Sequence, residues 1–329
     1  MGVAVPFPDT RPNGYEWLPD EPVFDPDRHL QLEEPDAVAT LLDLGYSTAD
    51  IEGKATTIAA SSAFRVLSDE GAATMLDVAR RLRAFVKPAG ERIERVVRGG
   101  CYRSRWLRDL CVSQEVNDHL ERIYGTPIAP HPMPVHLGHL NYEPSTIDAS
   151  IDKWHHDTLP LDYVLMVTDP GTVDGGRFEY FVGTKAEAAE LAARGETPPP
   201  DRVVAPHFAG AGYAIALHGN MVVHRAGALA SPGERISMVN GYVALDPSLD
   251  EQSRSVDLIG VDDPELLWAE WAKAVAWRAA GRLNALVEDL AFTTDREAVV
   301  QRLQSAIGDA ERAIEEMRSE GRRAEHYER

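Results

Sequence analysis

Residues 221–239 read Met221-Val222-Val223-His224-Arg225-Ala226-Gly227-Ala228-Leu229-Ala230-Ser231-Pro232-Gly233-Glu234-Arg235-Ile236-Ser237-Met238-Val239. An apolar run that ends on a histidine leads into a turn-rich connection, and an alternating run follows. A strand is expected over 221–224 and another over 235–245. In the second, Arg235, Ser237, Val239 and Gly241 share one face, while Ile236, Met238, Asn240 and Tyr242 take the other. An arginine and a serine turned toward a barrel interior are costly to bury unless an anion meets them.

The same texture extends outward from this stretch. Short β-branched and aromatic runs at 161–168, 178–182 and 212–217 alternate with Gly, Pro and Asp turns, and His139-Leu140-Asn141-Tyr142 reads as the first core strand. Several short strands with turn signals between them argue for a sandwich or barrel. One Ala/Glu-rich insertion over 185–194 is helical and stops at Pro198-Pro199-Pro200. Upstream, residues 1–30 form an extended arm with Tyr15, Trp17 and Phe24 as anchors. A short helix is expected through Ala37, Leu41, Leu42 and Leu44. A longer amphipathic one runs through Met75, Leu76, Val78, Leu82, Phe85 and Val86. A third starts at Ser113 as N-cap and ends at Gly125. After Pro264 two helical stripes continue, and the final residues 322–329 read as a frayed tail. The fold class expected is therefore α+β: a β core over 135–250, an N-terminal arm and helical region over 1–134, and C-terminal helices over 251–329, all in one structural domain.

Composition narrows the function. The 33 Lys and Arg stand against 53 Asp and Glu, for a net charge of −20. Such a surface repels phosphate, so neither nucleic acid nor an anionic membrane is expected as a partner. No apolar run is long enough to span a bilayer. The opening Met1-Gly2-Val3-Ala4-Val5-Pro6 has no basic region ahead of an apolar stretch, so no secretory leader is expected. Cys101 and Cys111 suit a reducing compartment, and the chain reads as cytoplasmic.

Trp154-His155-His156-Asp157 places two imidazoles and a carboxylate together. With 11 His and 53 acids in 329 residues, chance alone yields about two His-x-acid pairs, and the chain holds three. Context separates them. His119-x-Glu121 lies in a helical pattern, where such residues point apart. His326-x-Glu328 lies in the charged tail. Only His155 and Asp157 have strand-like surroundings, where positions i and i+2 share a face and can chelate one ion. His224 supplies a third candidate ligand from a distant strand, and Arg235 follows it by 11 residues.

The arrangement His155-x-Asp157 … His224 … Arg235-x-Ser237, with the Gly175-Gly176 turn ahead of a strand, resembles the Fe(II)- and 2-oxoglutarate-dependent oxygenases built on a double-stranded β-helix (jelly-roll) core. The resemblance covers about a third of the chain. It implies that His155, Asp157 and His224 form a facial triad on iron, leaving positions for a bidentate 2-oxo acid and O2. It implies that Arg235 clamps the far carboxylate of 2-oxoglutarate and that Ser237 adds a hydroxyl. An amide or hydroxyl from the first core strand reaches the 2-oxo acid in many relatives. Asn141 or Tyr142 could do so here, and Asn141 is the one carried forward as a cofactor contact. Relatives that halogenate lack the carboxylate; Asp157 therefore favours hydroxylation, or a related desaturation or cyclisation.

The expected activity is oxidation of an unactivated C–H of a small molecule such as an amino acid or natural-product intermediate. Arg103 and Arg105, in a basic and aromatic stretch, are candidate contacts to an anionic substrate group. The flanking helices are expected to shape the substrate pocket or a homodimer contact. Two alternatives remain at this point: a 2-oxoglutarate-independent non-haem iron oxidase or cupin-type dioxygenase, and a non-catalytic jelly-roll binding module.

Overall fold

A computed structural model describes residues 4–90, 92–320 and 326–327. Its strands are β1 (Val38–Thr40), β2 (Ile58–Ser61), β3 (Phe64–Arg65), β4 (Lys87–Ala89), β5 (Ile93–Val97), β6 (Ile128–Pro130), β7 (His139–Tyr142), β8 (Ser150–His155), β9 (Leu161–Met166), β10 (Phe178–Phe181), β11 (Val203–Val204), β12 (Tyr213–Leu217), β13 (His224–Ala228) and β14 (Ile236–Ala244). The helices are α1 (Pro26–His29), α2 (Thr48–Ile51), α3 (Asp69–Leu82), α4 (Arg105–Cys111), α5 (Gln114–Tyr124), α6 (Lys185–Ala193), α7 (Pro264–Asp289) and α8 (Arg296–Arg318).

The successive strands β7–β14 are shared between two antiparallel sheets. Strands β12, β9, β14 and β7 lie side by side in the larger sheet, and β11, β10, β13 and β8 make up the smaller one. This is the double-stranded β-helix, and the fold is α+β. The two sheets enclose one apolar layer, which includes Val164, Met166, Phe178, Tyr180, Ile215, Leu217 and Val239. A second layer forms on the outer face of the larger sheet. There Leu140, Tyr142, Tyr163, Leu165, Met238 and Tyr242 meet α3, α4 and α5 through Met75, Val78, Leu107, Leu110, Val116 and Leu120. Covered on both faces, β14 is buried along its whole length. A hydrogen bond from the Tyr142 hydroxyl to the Ala79 carbonyl (2.7 Å) ties β7 to α3.

Local signals set several boundaries. Ser113 caps α5, its hydroxyl accepting from the Val116 N–H, and Gly125 ends it in the left-handed region. Thr184 and Glu187 form a capping box at α6. The helices α7 and α8 make an antiparallel pair locked by Asp309, which accepts from Arg278 at 2.7 Å and pairs with Arg282 and Arg312.

Three expectations change. Residues 37–44 form β1 and a turn, not a helix: Thr40 donates from its N–H and hydroxyl to Asp43 (2.8 and 2.7 Å), and Val38 pairs with Ser61. The N-terminal region is not only helical, because β2 and β3 pair with β12, β5 pairs with β7, and β6 pairs with β14. The strand expected over 221–224 instead begins at His224. Met221 and Val222 donate their N–H groups to the His218 carbonyl in a turn.

Candidate metal centre and adjoining cavity

Strand pairing brings the three candidate ligands together. His155 ends β8, His224 begins β13, and the two are register partners. Their rings lie 4.2 Å apart between centroids. Asp157, two residues past the end of β8, is held by its N–H bond to the Gly219 carbonyl (2.9 Å) and by the Asn220 amide on its own carbonyl (2.9 Å). Its carboxylate reaches 3.4 Å from Nε2 of each histidine, and one donor atom from each residue lies within 4.8 Å of the others.

The imidazoles are oriented from behind. His155 Nδ1 lies 2.6 Å from the Lys153 carbonyl and His224 Nδ1 2.9 Å from the Val222 carbonyl. A carbonyl only accepts, so Nδ1 of each ring carries a proton there, and Nε2 is the atom turned toward Asp157. Locking the far nitrogen in this way is how proteins fix a metal-binding histidine. Phe178 stacks on His224 at 5.5 Å. Burial works against charge on Asp157, yet His224 and His155 outweigh it and hold the carboxyl well below its ordinary range. For His155, burial and then the Arg92 charge push the pKa down. Two imidazoles with Nε2 turned to one point, beside one ionised carboxylate, fit a divalent first-row metal with open positions.

Arg235 lies at the floor of the same cavity, 1% exposed. It donates to the Ser237 hydroxyl (2.7 Å) and, from Nε, to the Gly176 carbonyl (3.1 Å). No side-chain carboxylate pairs with it among the described residues. Burial lowers its pKa to about 10 against the pull of Asp152 and Glu143, so it stays charged. Gly176 (φ +63°) makes room for it: a Cβ there would meet Leu229 at 2.8 Å and Arg235 Cγ at 3.4 Å. Asn141 pairs in register with Ser237, so both face the cavity, and its Oδ1 is buried without a partner among the described residues. Tyr142 points the other way, into the helix-covered layer, which decides between the two residues of the first core strand.

Two lining residues carry no signal in the sequence. Asp152, three residues before His155, belongs by strict alternation on the opposite face. A bulge sets it opposite Ala226 while His155 opposes His224, and both turn inward. Arg92, from the β4–β5 turn, pairs with Asp152 at 3.1 Å. The cavity that they line with the three candidate ligands measures about 20 Å³.

Arg103 and Arg105 are not brought to this place. Arg103 stacks on Tyr15 (4.1 Å) and Phe85 (3.9 Å), and Arg105 lies over Trp17 (4.7 Å). Both spend their cations on the N-terminal arm. His218 is fully buried with neither ring nitrogen hydrogen-bonded among the described residues. The tail also departs from expectation. Residues 321–325 and 328–329 lie outside the described residues. Tyr327, however, is buried against Trp154 and Phe181, donates its N–H to the Trp154 carbonyl (2.6 Å), and meets His156 Nδ1 at 2.7 Å through its hydroxyl.

A larger cavity of about 570 Å³ adjoins the first, and Arg92, His139 and Asp157 line both. It falls in the size range of small-molecule sites. No described helix is long and apolar enough to cross a membrane.

No family model matches the sequence, and no curated protein matches it. Among solved structures, the chain is similar to EctD from S. alaskensis with bound Fe (18% identity, 75% of this chain and 89% of that one, TM-score 0.44). It is similar to AviO1 from Streptomyces viridochromogenes Tue57 (17%, 65% and 98%, 0.44). It is also similar to SnoN, a non-heme alpha ketoglutarate dependent epimerase from nogalamycin biosynthesis (18%, 62% and 92%, 0.41).

Proposed function

We propose that this chain is an Fe(II)/2-oxoglutarate-dependent oxygenase that oxidises an unactivated C–H of a small molecule, with hydroxylation as the outcome. One observation carries the reading: the His155–Asp157–His224 cluster and a buried, charged Arg235, whose guanidinium meets no carboxylate among the described residues, face the same cavity. A buried guanidinium that lacks an acid in its own chain is stabilised by an anionic guest.

In this reading His155, Asp157 and His224 hold the iron, and Arg235, with Ser237 and Asn141, holds 2-oxoglutarate. Iron with the 2-oxo acid and O2 supplies the oxidising power for a strong C–H bond when bound. The protein's own part is placement. The Lys153 and Val222 carbonyls orient the imidazoles, and the Gly219 carbonyl anchors Asp157. The larger cavity receives the substrate beside Asp157. Cys101 and Cys111 are both buried free thiols, in keeping with a reducing cytoplasm.

A second reading is favoured by the Arg92–Asp152 pair. A 20 Å³ cavity has room for about one water, and 2-oxoglutarate enters only if that pair gives way. If it does not, the centre serves a 2-oxoglutarate-independent iron oxidase. Incubating the protein with Fe(II), 2-oxoglutarate, ascorbate and a small-molecule library separates the two. Succinate released in step with a product one oxygen heavier supports the first reading; product without succinate supports the second.

A further inference from the structure

The larger cavity has a chemical bias of its own. Lys54, Arg92, Arg98, Lys185 and Arg254 line it against two acids, Asp157 and Asp257, in a chain of net charge −20. The cations differ in how firmly they are engaged. Asp262 holds Arg98 through two contacts at 2.5 and 2.8 Å, Asp250 holds Lys54 at 2.5 Å, and Asp152 holds Arg92 at 3.1 Å. Of these four acid-paired cations Arg254 is the loosest, with Glu316 at 3.4 Å and 42% of its side chain exposed.

Ala89, Ile93, Val96, Leu258 and Val261 give the cavity an aliphatic part as well, and no Phe, Tyr or Trp lines it among the described residues. A third feature reads polarity. Among the described residues, both amide atoms of Gln252 are buried without a partner, as is Nε2 of His136, and both residues line the cavity. Buried polar atoms left without partners cost free energy that a ligand can return.

We propose that this cavity binds an aliphatic molecule carrying an acidic group, with Arg254 taking the acid and Gln252 pairing with a neighbouring amide or hydroxyl. The proposal rests on the oxygenase reading of the adjoining centre and names its substrate class. A flat aromatic substrate finds no Phe, Tyr or Trp to stack on among the described residues, and five lining cations disfavour a cationic one. The acidic group is a carboxylate or a phosphate, since a guanidinium recognises both.

The test titrates the metal-free full chain by calorimetry with N-acetylleucine, its primary amide, and the phosphate monoester of N-acetylleucinol. One or both anions bind and the amide does not; the tighter anion identifies the acidic group. Arg254→Gln weakens the anion about tenfold, the loss of one charged hydrogen bond. Arg254→Lys recovers part of the affinity, which shows that the loss is not one of folding. Gln252→Leu weakens the anion as well. Equal binding of the neutral amide, no binding of either anion, or unchanged binding by a folded Arg254→Gln protein overturns the proposal. If iron and 2-oxoglutarate support no turnover while the anion still binds through Arg254, the oxygenase reading fails and the anion-binding cavity stands.

Discussion

His155 and His224 are register partners on two antiparallel strands, and each has its far ring nitrogen tied to a carbonyl of its own strand or turn. The pair is preset before any ion arrives. His155→Ala or His224→Ala is therefore expected to lower divalent-metal affinity by at least about a hundredfold, beyond the tenfold to hundredfold typical of supporting residues alone. Equilibrium dialysis against Fe(II) under nitrogen measures this, and binding retained by both variants would remove the cluster from consideration as a metal centre.

Arg235 separates charge from shape. Replacement by Ala should raise the 2-oxoglutarate concentration needed for half-maximal turnover about tenfold to a hundredfold, the loss of a charged hydrogen bond of roughly 1.5–3 kcal/mol. Replacement by Lys keeps the charge but not the planar fork and should recover only part. A 2-oxoglutarate dependence unmoved by either change would assign Arg235 to the substrate.

Gly219 is placed where any side chain intrudes. A Cβ there would lie 2.2 Å from Asp162 Oδ2 and 3.1 Å from Asp157 Cβ. Gly219→Ala is expected to cost about 1–3 kcal/mol of stability and to weaken metal binding with it. Gly308, in α8 with open space where a Cβ would stand, is the contrast: Gly308→Ala should gain about 0.5–1 kcal/mol. Urea denaturation of the two variants compares them directly.

Glu270 gives a pH signature. Burial raises its pKa to about 7, even though it accepts from Tyr102 (2.8 Å) and the Val135 N–H (2.9 Å). The folded state then holds a proton that the unfolded chain releases near the ordinary Glu value. Stability contributed by this proton is complete below that value and is lost as pH rises toward 7, by roughly 3 kcal/mol at most. Glu270→Gln, which keeps an amide of the same shape, should flatten the decline between about pH 4.5 and 7. An unaltered slope in the variant would assign the decline to other groups.

How much of this was legible depends on whether the deciding interaction was local. The boundaries of α5 and α6 follow from caps within four residues of each end, and the spacing shows them. Alternation placed Arg235, Ser237 and Val239 on one face correctly, because β14 is regular. It could not place Asp152, because one bulge in β8 inverts the face and the residues around it, Lys153 and Trp154, carry no mark of it. The run 37–44 has apolar spacing that a helix and a strand-plus-turn share, and pairing with Ile58–Ser61, too short to be seen as a strand, decides it. Arg103 and Arg105 were read by charge, whereas their partners Tyr15, Phe85 and Trp17 are distant in sequence. The docking of Tyr327 on Trp154 is likewise a long-range contact that a charged tail conceals.

The flanks of the larger sheet bear on how the protein can be handled. Because β2 and β3 cap one side of β12 and β5 the far side of β7, cutting the chain down to residues 135–250 would bare two rows of unsatisfied amides and strip the outer apolar face of its cover. Such exposed borders invite intermolecular strand addition. A fragment cut to the β core is thus expected to precipitate, and the first hundred residues are better regarded as part of the wall than as an ornament on it.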